Sequence, residues 1–404
     1  MPHNYMKNLG ARYMPMKIAI ATDFPIDPNQ PSGGVQAVSV TLVRALAALD
    51  DLCVDVVTRD ADRTQIEIQD WRGARIHRLP RGKRHTLTDA VTHGRRQLHE
   101  YLPSLSPDVI HAHDTYGLMV KGLDIPRVFT IHGFIHADTL LAGRRLAWIR
   151  SKLWKWIETG GWAEQPHIIS ISPYVRERLS GVAGGVIHDI DNPISEVFFD
   201  VPRAERKGTI FCAAVICRRK NQIALVEALA HLRKQGVDAE LRLAGPISEP
   251  AYGRRMHEHI DALNLGEHVK LLGAIGSDQV RAELAAAGAF ALVSYEEGSP
   301  MGIEEAMAVG VPVVTSNRCG MPYMVRDGET GYLVDPDDPA DIAARMAELM
   351  NNDARRADMS AYAREIARDR FHPEAVARRT REVYRRAVQE GAECCSGNVQ
   401  AAVS

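Results

Sequence analysis

The residues best suited to chemistry lie in one stretch of about forty positions, EEGSPMGIEEAMAVGVPVVTSNRCGMPYMVRDGETGYLVDP. Within it Glu297 and Glu305 are separated by seven residues, a Gly-Ser-Pro turn follows the first, and a helical pattern carries the second. Such a turn aims the backbone N–H groups of Ser299, Pro300's successors Met301 and Gly302, and Ile303 at an anion such as a diphosphate. A carboxylate two turns into the helix can then accept hydrogen bonds from both hydroxyls of a ribose. The plain alternative is an acidic helix start that stabilises the helix dipole. A second glycine turn, PSGGVQAVSV, puts Gly33 and Gly34 between the first strand and the first helix. It either lets a phosphate approach the helix N-terminus or only turns the chain. It is neither GxGxxG nor a P-loop, which argues against a dinucleotide dehydrogenase and a P-loop enzyme.

These turns need elements to hold them. From residue 16, short Val- and Ile-rich runs (KIAIATD, VDVVTR, DVIHAHD, RVFTIHG, HIISIS, GVIHDID) alternate with helical patterns, among them one within 86–102. Continuous apolar strands separated by helices predict parallel strands covered on both faces. The alternation breaks at NPISEVFFDVPRAERKG and restarts at TIFCAAVI. The predicted organisation is therefore α/β: a disordered leader over 1–15, a Rossmann-like domain over 16–195, a linker over 196–206 and a second Rossmann-like domain over 207–372. A helix over 373–389 returns to the first domain, with Val376, Thr380, Val383 and Ala387 on its packing stripe, and a tail over 390–404 frays. Two doubly wound parallel sheets facing each other leave a cleft at their strand ends, where ligands bind.

Bulk properties narrow the function classes. The chain has 404 residues, with 49 basic and 51 acidic side chains and a formal net charge of −2. Without a basic surplus it is a poor match for a phosphate backbone, so no nucleic acid partner is expected. No run approaches the ~20 apolar residues of a spanning helix, and the opening MPHNYMKNLGARYMPM has no signal-peptide core. The cysteines (Cys53, Cys212, Cys217, Cys319, Cys394, Cys395) form no CxxC pair, which fits reduced cytoplasmic thiols and neither a disulfide framework nor a zinc module.

With these motifs in place, the chain resembles the retaining glycosyltransferases of the GT-B fold, specifically glycosyltransferase family 4. The likeness rests on the E-x7-E pair, EAMAVGVPVV at 305–314 and DGETGYLV at 327–334. The Gly33–Gly34 turn, DVIHAHD, TIHGF, ISPYVRERL, DNPIS and LRLAGP follow in family order. The resemblance implies that the second domain holds a nucleoside diphosphate sugar, that Glu305 binds the ribose, and that Glu297 and His132 lie at the donor sugar. It places the acceptor on the first domain and implies no cofactor. In AAVICRRKNQ, Lys220 matches the family's diphosphate-binding Lys, whereas Val215 stands where the family usually has Arg. Arg218 or Arg219 can supply the missing charge from the same loop, and Arg219 is the preferred candidate. Gly273, Ala274 and Ile275 are candidates for reading the base through their backbone. Rival expectations are a non-catalytic sugar-nucleotide binder and a sugar-nucleotide 2-epimerase.

Two further features suggest other roles. His111 and His113 share one face of a strand, which would suit zinc, but matching ligands are lacking, and the D-x-D strings at Asp60–Asp62 and Asp189–Asp191 are badly placed, so no essential metal is expected. The segment 143–162, GRRLAWIRSKLWKWIETGGW, reads as a helix whose Leu146, Ile149, Leu153, Trp156 and Ile157 form the packing face. Trp148 falls opposite, among Arg144, Lys152 and Lys155. That basic face either meets anionic lipid, as in a peripheral membrane protein, or is solvated with Trp148 covered by a loop or the acceptor.

Overall fold

The computed structural model describes residues 14–82, 86–141 and 146–401. The leader therefore lies almost wholly outside the described residues, as do Arg144 and residues 402–404. In the first domain the order is β1 (Met16–Ala21), α1 (Gly34–Ala47), β2 (Leu52–Asp60), β3 (Glu67–Trp71), β4 (Ala74–Pro80), α2 (Thr86–Val91), α3 (His93–Ser104) and β5 (Val109–His113). It continues with α4 (Thr115–Met119), β6 (Arg127–Ile131), α5 (Ile135–Leu141), α6 (Ala147–Trp162), β7 (His167–Ser170), α7 (Pro173–Leu179) and β8 (Val186–Asp189). The second domain runs through β9 (Thr209–Ala213), α8 (Gln222–Lys234), β10 (Glu240–Ala244), α9 (Pro250–Ala262), β11 (Val269–Gly273), α10 (Ser277–Ala286) and β12 (Ala289–Leu292). Then come α11 (Met301–Val309), β13 (Val313–Ser316), β14 (Gly331–Val334), α12 (Pro339–Asn351), α13 (Asp353–Phe371) and α14 (Pro373–Ala401).

The sheets have eight strands, ordered β3-β4-β2-β1-β5-β6-β7-β8, and six, ordered β11-β10-β9-β12-β13-β14. Every pairing is parallel except β3 with β4. Both of those strands escaped the sequence reading. The polar, exposed alternation of EIQDW and the Arg and His of ARIHRLP hide them from an apolar-run criterion, although Ile76 and Leu79 are fully buried. The single helix expected over 86–102 is divided at Thr92 into α2 and α3.

α14 returns to the first domain as its stripe predicts: Val376, Thr380, Val383 and Ala387 are all at most 5 % exposed, and α14 packs on α1. The buried Tyr384 hydroxyl lies 2.7 Å from His111 Nδ1 on β5, tying the last helix to the sheet centre. The helix does not stop at 389. It continues to Ala401, past the last residue of the apolar stripe. The chain crosses between domains twice, side by side. Ile194 N donates to Phe371 O (3.1 Å), and Arg370 forms a two-pronged pair with Asp191 (2.6 and 3.1 Å). Asp189 is held by Arg176. Both acids of that D-x-D string are thus spent on ion pairs.

Candidate functional site

The site forms where the C-terminal ends of the two sheets meet. From the first domain comes the start of α1, and from the second the start of α11. A Cβ built on Gly34 would lie 3.6 Å from Met301 Sδ, so the two helix N-termini face each other at close range. Neither start is closed by a capping side chain: Gly33 and Pro300 occupy the cap positions. Two helix dipoles and their first N–H groups therefore converge on one space, a favourable place for an anion. Gly302 keeps α11 tight against the sheet, since a Cβ there would approach Phe290 at 3.0 Å and the Ala213 carbonyl at 3.2 Å.

The charged residues gather beside these starts. After β9, residues Arg218–Lys220 form one turn of 3₁₀ helix. From it Arg219 Nη1 donates to Glu297 Oε1 (2.7 Å) and to the Glu296 carbonyl (2.8 Å), and Lys220 Nζ lies 2.5 Å from the same Glu297 oxygen. Arg218 is exposed and Val215 is 40 % exposed. Of the two arginine candidates, Arg219 is the one brought to Glu297. The loop carrying Glu297 is fixed by Gly320, whose N–H donates to the Glu297 carbonyl (2.9 Å) and where any Cβ would lie 1.9 Å from the Gly298 carbonyl. No motif reading singled out Gly320.

Glu305 is half-buried one turn into α11 and has no cation beside it; burial alone pushes its carboxyl up to about 8. Its neighbour Glu304 points inward, accepts from Ser299 Oγ (2.7 Å) and has a carboxyl raised well above the usual range by burial. Ser299 therefore serves the turn through its side chain. Gly273, Ala274 and Ile275 sit apart, at the end of the edge strand β11, with Gly273 and Ala274 exposed. Gly273 adopts φ +65° and its carbonyl accepts from Gly245 N (2.7 Å).

The first-domain wall works through backbone. A Cβ on Gly298 would lie 3.5 Å from the His132 carbonyl, so the loop after β6 abuts the loop after Glu297. Ser172 Oγ donates to the Gly298 carbonyl (2.8 Å) and Tyr174 to Glu296 (3.2 Å), closing the domains here. The His132 ring turns inward: Nδ1 is 3.1 Å from Asn192 Oδ1 and Nε2 is 3.1 Å from His113 Nδ1. With Asn192 accepting, His132 donates from Nδ1 and accepts at Nε2 from His113, leaving the buried His113 Nε2 as a lone pair without a partner. Burial lowers the pKa of both imidazoles, which keeps this chain neutral. The structure thus brings the His132 carbonyl, rather than a free ring nitrogen, to the Glu297 loop. His111 is engaged at both nitrogens by Tyr384 and Thr130, and among the described residues no group of three or more His, Cys, Asp or Glu could hold a metal.

Asp114 is a second residue that motif reading missed. It follows His113 with φ +46° and ψ −120°, a region that costs a non-glycine residue about 1–3 kcal/mol. Its half-buried carboxylate accepts from His132 N (2.9 Å) and from Gly133 N, while desolvation raises its pKa. The D of HAHD was visible, but its backbone angle leaves no trace in residue type.

The α6 expectation is corrected. The face turned inward consists of Ala147, Ser151, Trp154, Glu158, Gly161 and Trp162, whereas the expected packing residues Leu146, Ile149, Leu153 and Trp156 are 42–74 % exposed. Glu158 decides the orientation: it accepts from Ile135 N and His136 N and pairs with the His136 ring (2.7–3.0 Å). A buried carboxylate with three donors fixes the helix rotation more strongly than an apolar stripe. Trp148, expected opposite the packing face, is 57 % exposed.

Comparisons with known proteins agree with this architecture. The family described as "Glycosyl transferases group 1" matches residues 194–366, and that described as "Glycosyltransferase Family 4" matches residues 32–196. A D-inositol 3-phosphate glycosyltransferase of Nocardioides is 32 % identical over 52 % of this chain and 48 % of its own length. A GDP-mannose-dependent alpha-(1-6)-phosphatidylinositol monomannoside mannosyltransferase of Mycobacterium tuberculosis is 28 % identical over 48 % of this chain and 55 % of its own. The chain thus spans about half the length of these curated relatives. Among solved structures, a sucrose-phosphate synthase from Thermosynechococcus elongatus superposes with a TM-score of 0.78 at 23 % identity, covering 92 % of this chain and 98 % of that one. At that identity the match shows the shared fold.

Proposed function

The chain belongs to glycosyltransferase family 4, with the group 1 transferase domain and the GT-B fold, and we propose that it moves a hexosyl group from a uridine or guanosine diphosphate sugar to a hydroxyl acceptor with retention of configuration. The observation that carries this reading is the convergence of the α1 and α11 N-termini beside Arg219, Lys220 and Glu297. In the free protein Glu297 neutralises part of the charge on both cations. An incoming diphosphate competes for Lys220 and Arg219 and releases the Glu297 carboxylate toward the donor sugar. As the glycosidic bond to phosphate breaks, negative charge grows on the leaving diphosphate, and two cations with two helix N-termini are already aimed there. No metal is needed to supply that charge.

Glu305 is assigned to the ribose, and the backbone of Gly273–Ile275 to the base. No general base is assigned: the departing phosphate takes the acceptor's proton on the face it leaves. The first-domain wall holds the acceptor, and the protein works in the cytoplasm. Both relatives named above carry inositol-based acceptors in their names, which supports an inositol-containing glycolipid or its soluble headgroup as the first acceptors to try.

The test is a thermal-shift panel of sugar nucleotides followed by turnover. One donor should raise the melting temperature, since a ligand of the folded state stabilises by RT ln(1 + [L]/Kd). Free nucleoside diphosphate should then appear only when acceptor is added. Tight binding without turnover against any acceptor would instead mark a sugar-nucleotide binder.

A further inference from the structure

The exposed side of α6 continues into a cavity of about 730 Å³ between α6 and the helices α2, α3 and α4. Val91, Leu118, Leu153, Trp156 and Ile157 supply its apolar wall, and the charged residues among those lining it are Arg95 and Lys121, the latter paired with Glu164 (2.7 Å). Its volume falls within the ~300–1,000 Å³ of built small-molecule sites. Trp156 on the cavity wall is 74 % exposed and Trp148 on the same helix 57 %, so this side of α6 offers two indole rings to its surroundings beside the cavity mouth. The exposed charge along this helix is basic: Lys152, whose ammonium stands 5.4 Å over the Trp148 ring, and Lys155. The helix acid Glu158 is buried with His136.

We propose that this face docks on an anionic phospholipid bilayer and that the cavity takes one acyl chain of a bound lipid. Among the described residues no helix is long and apolar enough to cross a membrane, and tryptophans beside lysines on an exposed helix face are the chemistry of an interfacial contact. A second copy of this chain fits less well, because a two-fold contact would set Lys152 and Lys155 against their own like charges. The inference stands apart from the sugar-transfer reaction and requires neither donor nor acceptor.

The test uses the full chain and vesicles of phosphatidylcholine with or without phosphatidylglycerol, one fraction carrying a pyrene-labelled acyl chain. Wild type should sediment with anionic vesicles at least ~10-fold better than with neutral ones and release as salt is raised. It should also take up the labelled chain. Trp156→Ser with Lys152→Ser should lose most of this binding. Gly160 lines the cavity, and a Cβ there meets nothing within 4 Å. Gly160→Trp therefore sends a large side chain from an open Cβ position into the cavity and improves helix propensity. It should abolish uptake of the labelled chain while keeping the preference for anionic vesicles. An unchanged melting temperature and nucleotide shift certify the fold of each variant. Uptake by Gly160→Trp equal to wild type would overturn the acyl-chain assignment. Equal sedimentation of wild type with both vesicle types would overturn the bilayer, as would a wild-type dimer that Trp156→Ser makes monomeric.

Discussion

The two walls of the cleft are built on different principles. The second-domain wall is charged and local: Arg219, Lys220, Glu297 and Glu305 come from two short segments, each fixed by the strand before it. The first-domain wall depends on backbone and on one carboxylate that holds it: Gly34 at the start of α1, the His132 carbonyl, and Asp114 at φ +46°. The contrast teaches where each wall is vulnerable. Removing one side chain should cripple the charged wall's chemistry without harming the fold, whereas the backbone wall should respond to conformational freedom more than to charge.

The largest effect is expected at Lys220. Removing one donor from a charge-stabilising site costs about 10² to 10³ in rate, so Lys220→Ala should lose that much turnover at saturating donor with its melting temperature kept. Arg219→Ala should follow closely, Arg219→Lys should recover part of the rate because a point charge lacks the planar fork, and Arg218→Ala should change it little. An Arg218 effect larger than that of Arg219 would move the role to the exposed residue and dissolve the pairing with Glu297. Glu297→Ala sharpens the same wall: with both cations released, affinity for nucleoside diphosphate should hold or rise while transfer falls.

Glu305 comes next. A hydrogen bond to a charged group is worth about 1.5–3 kcal/mol, so Glu305→Ala should weaken nucleotide affinity by roughly 10- to 100-fold in calorimetry. Its titration gives a second reading. In the free protein burial raises the carboxyl to about 8, while ribose hydroxyls favour the ionised form and lower that value on binding. Affinity should therefore be flat above about pH 8 and fall by up to ~10-fold per unit below it, with proton release on binding near neutrality. Glu305→Gln should flatten the profile. A flat wild-type profile would take the ribose away from Glu305.

How far each region could be read from sequence follows the same division. The charged wall was legible because its groups are close in sequence and their residue types carry the chemistry. The apolar stripe of α14 was legible because the first domain's core covers it. An equally regular stripe on α6 misled, since periodicity shows which residues share a face but not whether anything covers that face; Glu158, with its three donors, decided the rotation. β3 and β4 were hidden by polar residues in a half-exposed edge pair. Gly320 and Asp114 were illegible in their roles because one acts by having no Cβ and the other by a backbone angle.

Asp114 gives the smallest effect and the closest test of the backbone wall. Asp114→Ala removes the acceptor for His132 N and Gly133 N and keeps the unfavourable angle, so it should destabilise by about 1.5–3 kcal/mol. Asp114→Gly loses the same acceptor, yet glycine occupies φ +46°, ψ −120° without penalty, which returns about 1–3 kcal/mol. The two terms nearly cancel, and denaturation of Asp114→Gly should fall within ~1 kcal/mol of wild type. Its turnover should still drop several-fold, because the His132–Gly133 segment against Gly298 is no longer held. Stability and activity thus separate in the glycine variant and fall together in the alanine one. If Asp114→Gly kept full turnover, the carboxylate would be a structural cap alone. If it were as unstable as Asp114→Ala, the backbone strain at this position would have no energetic weight, and the contrast between the two walls would rest on charge only.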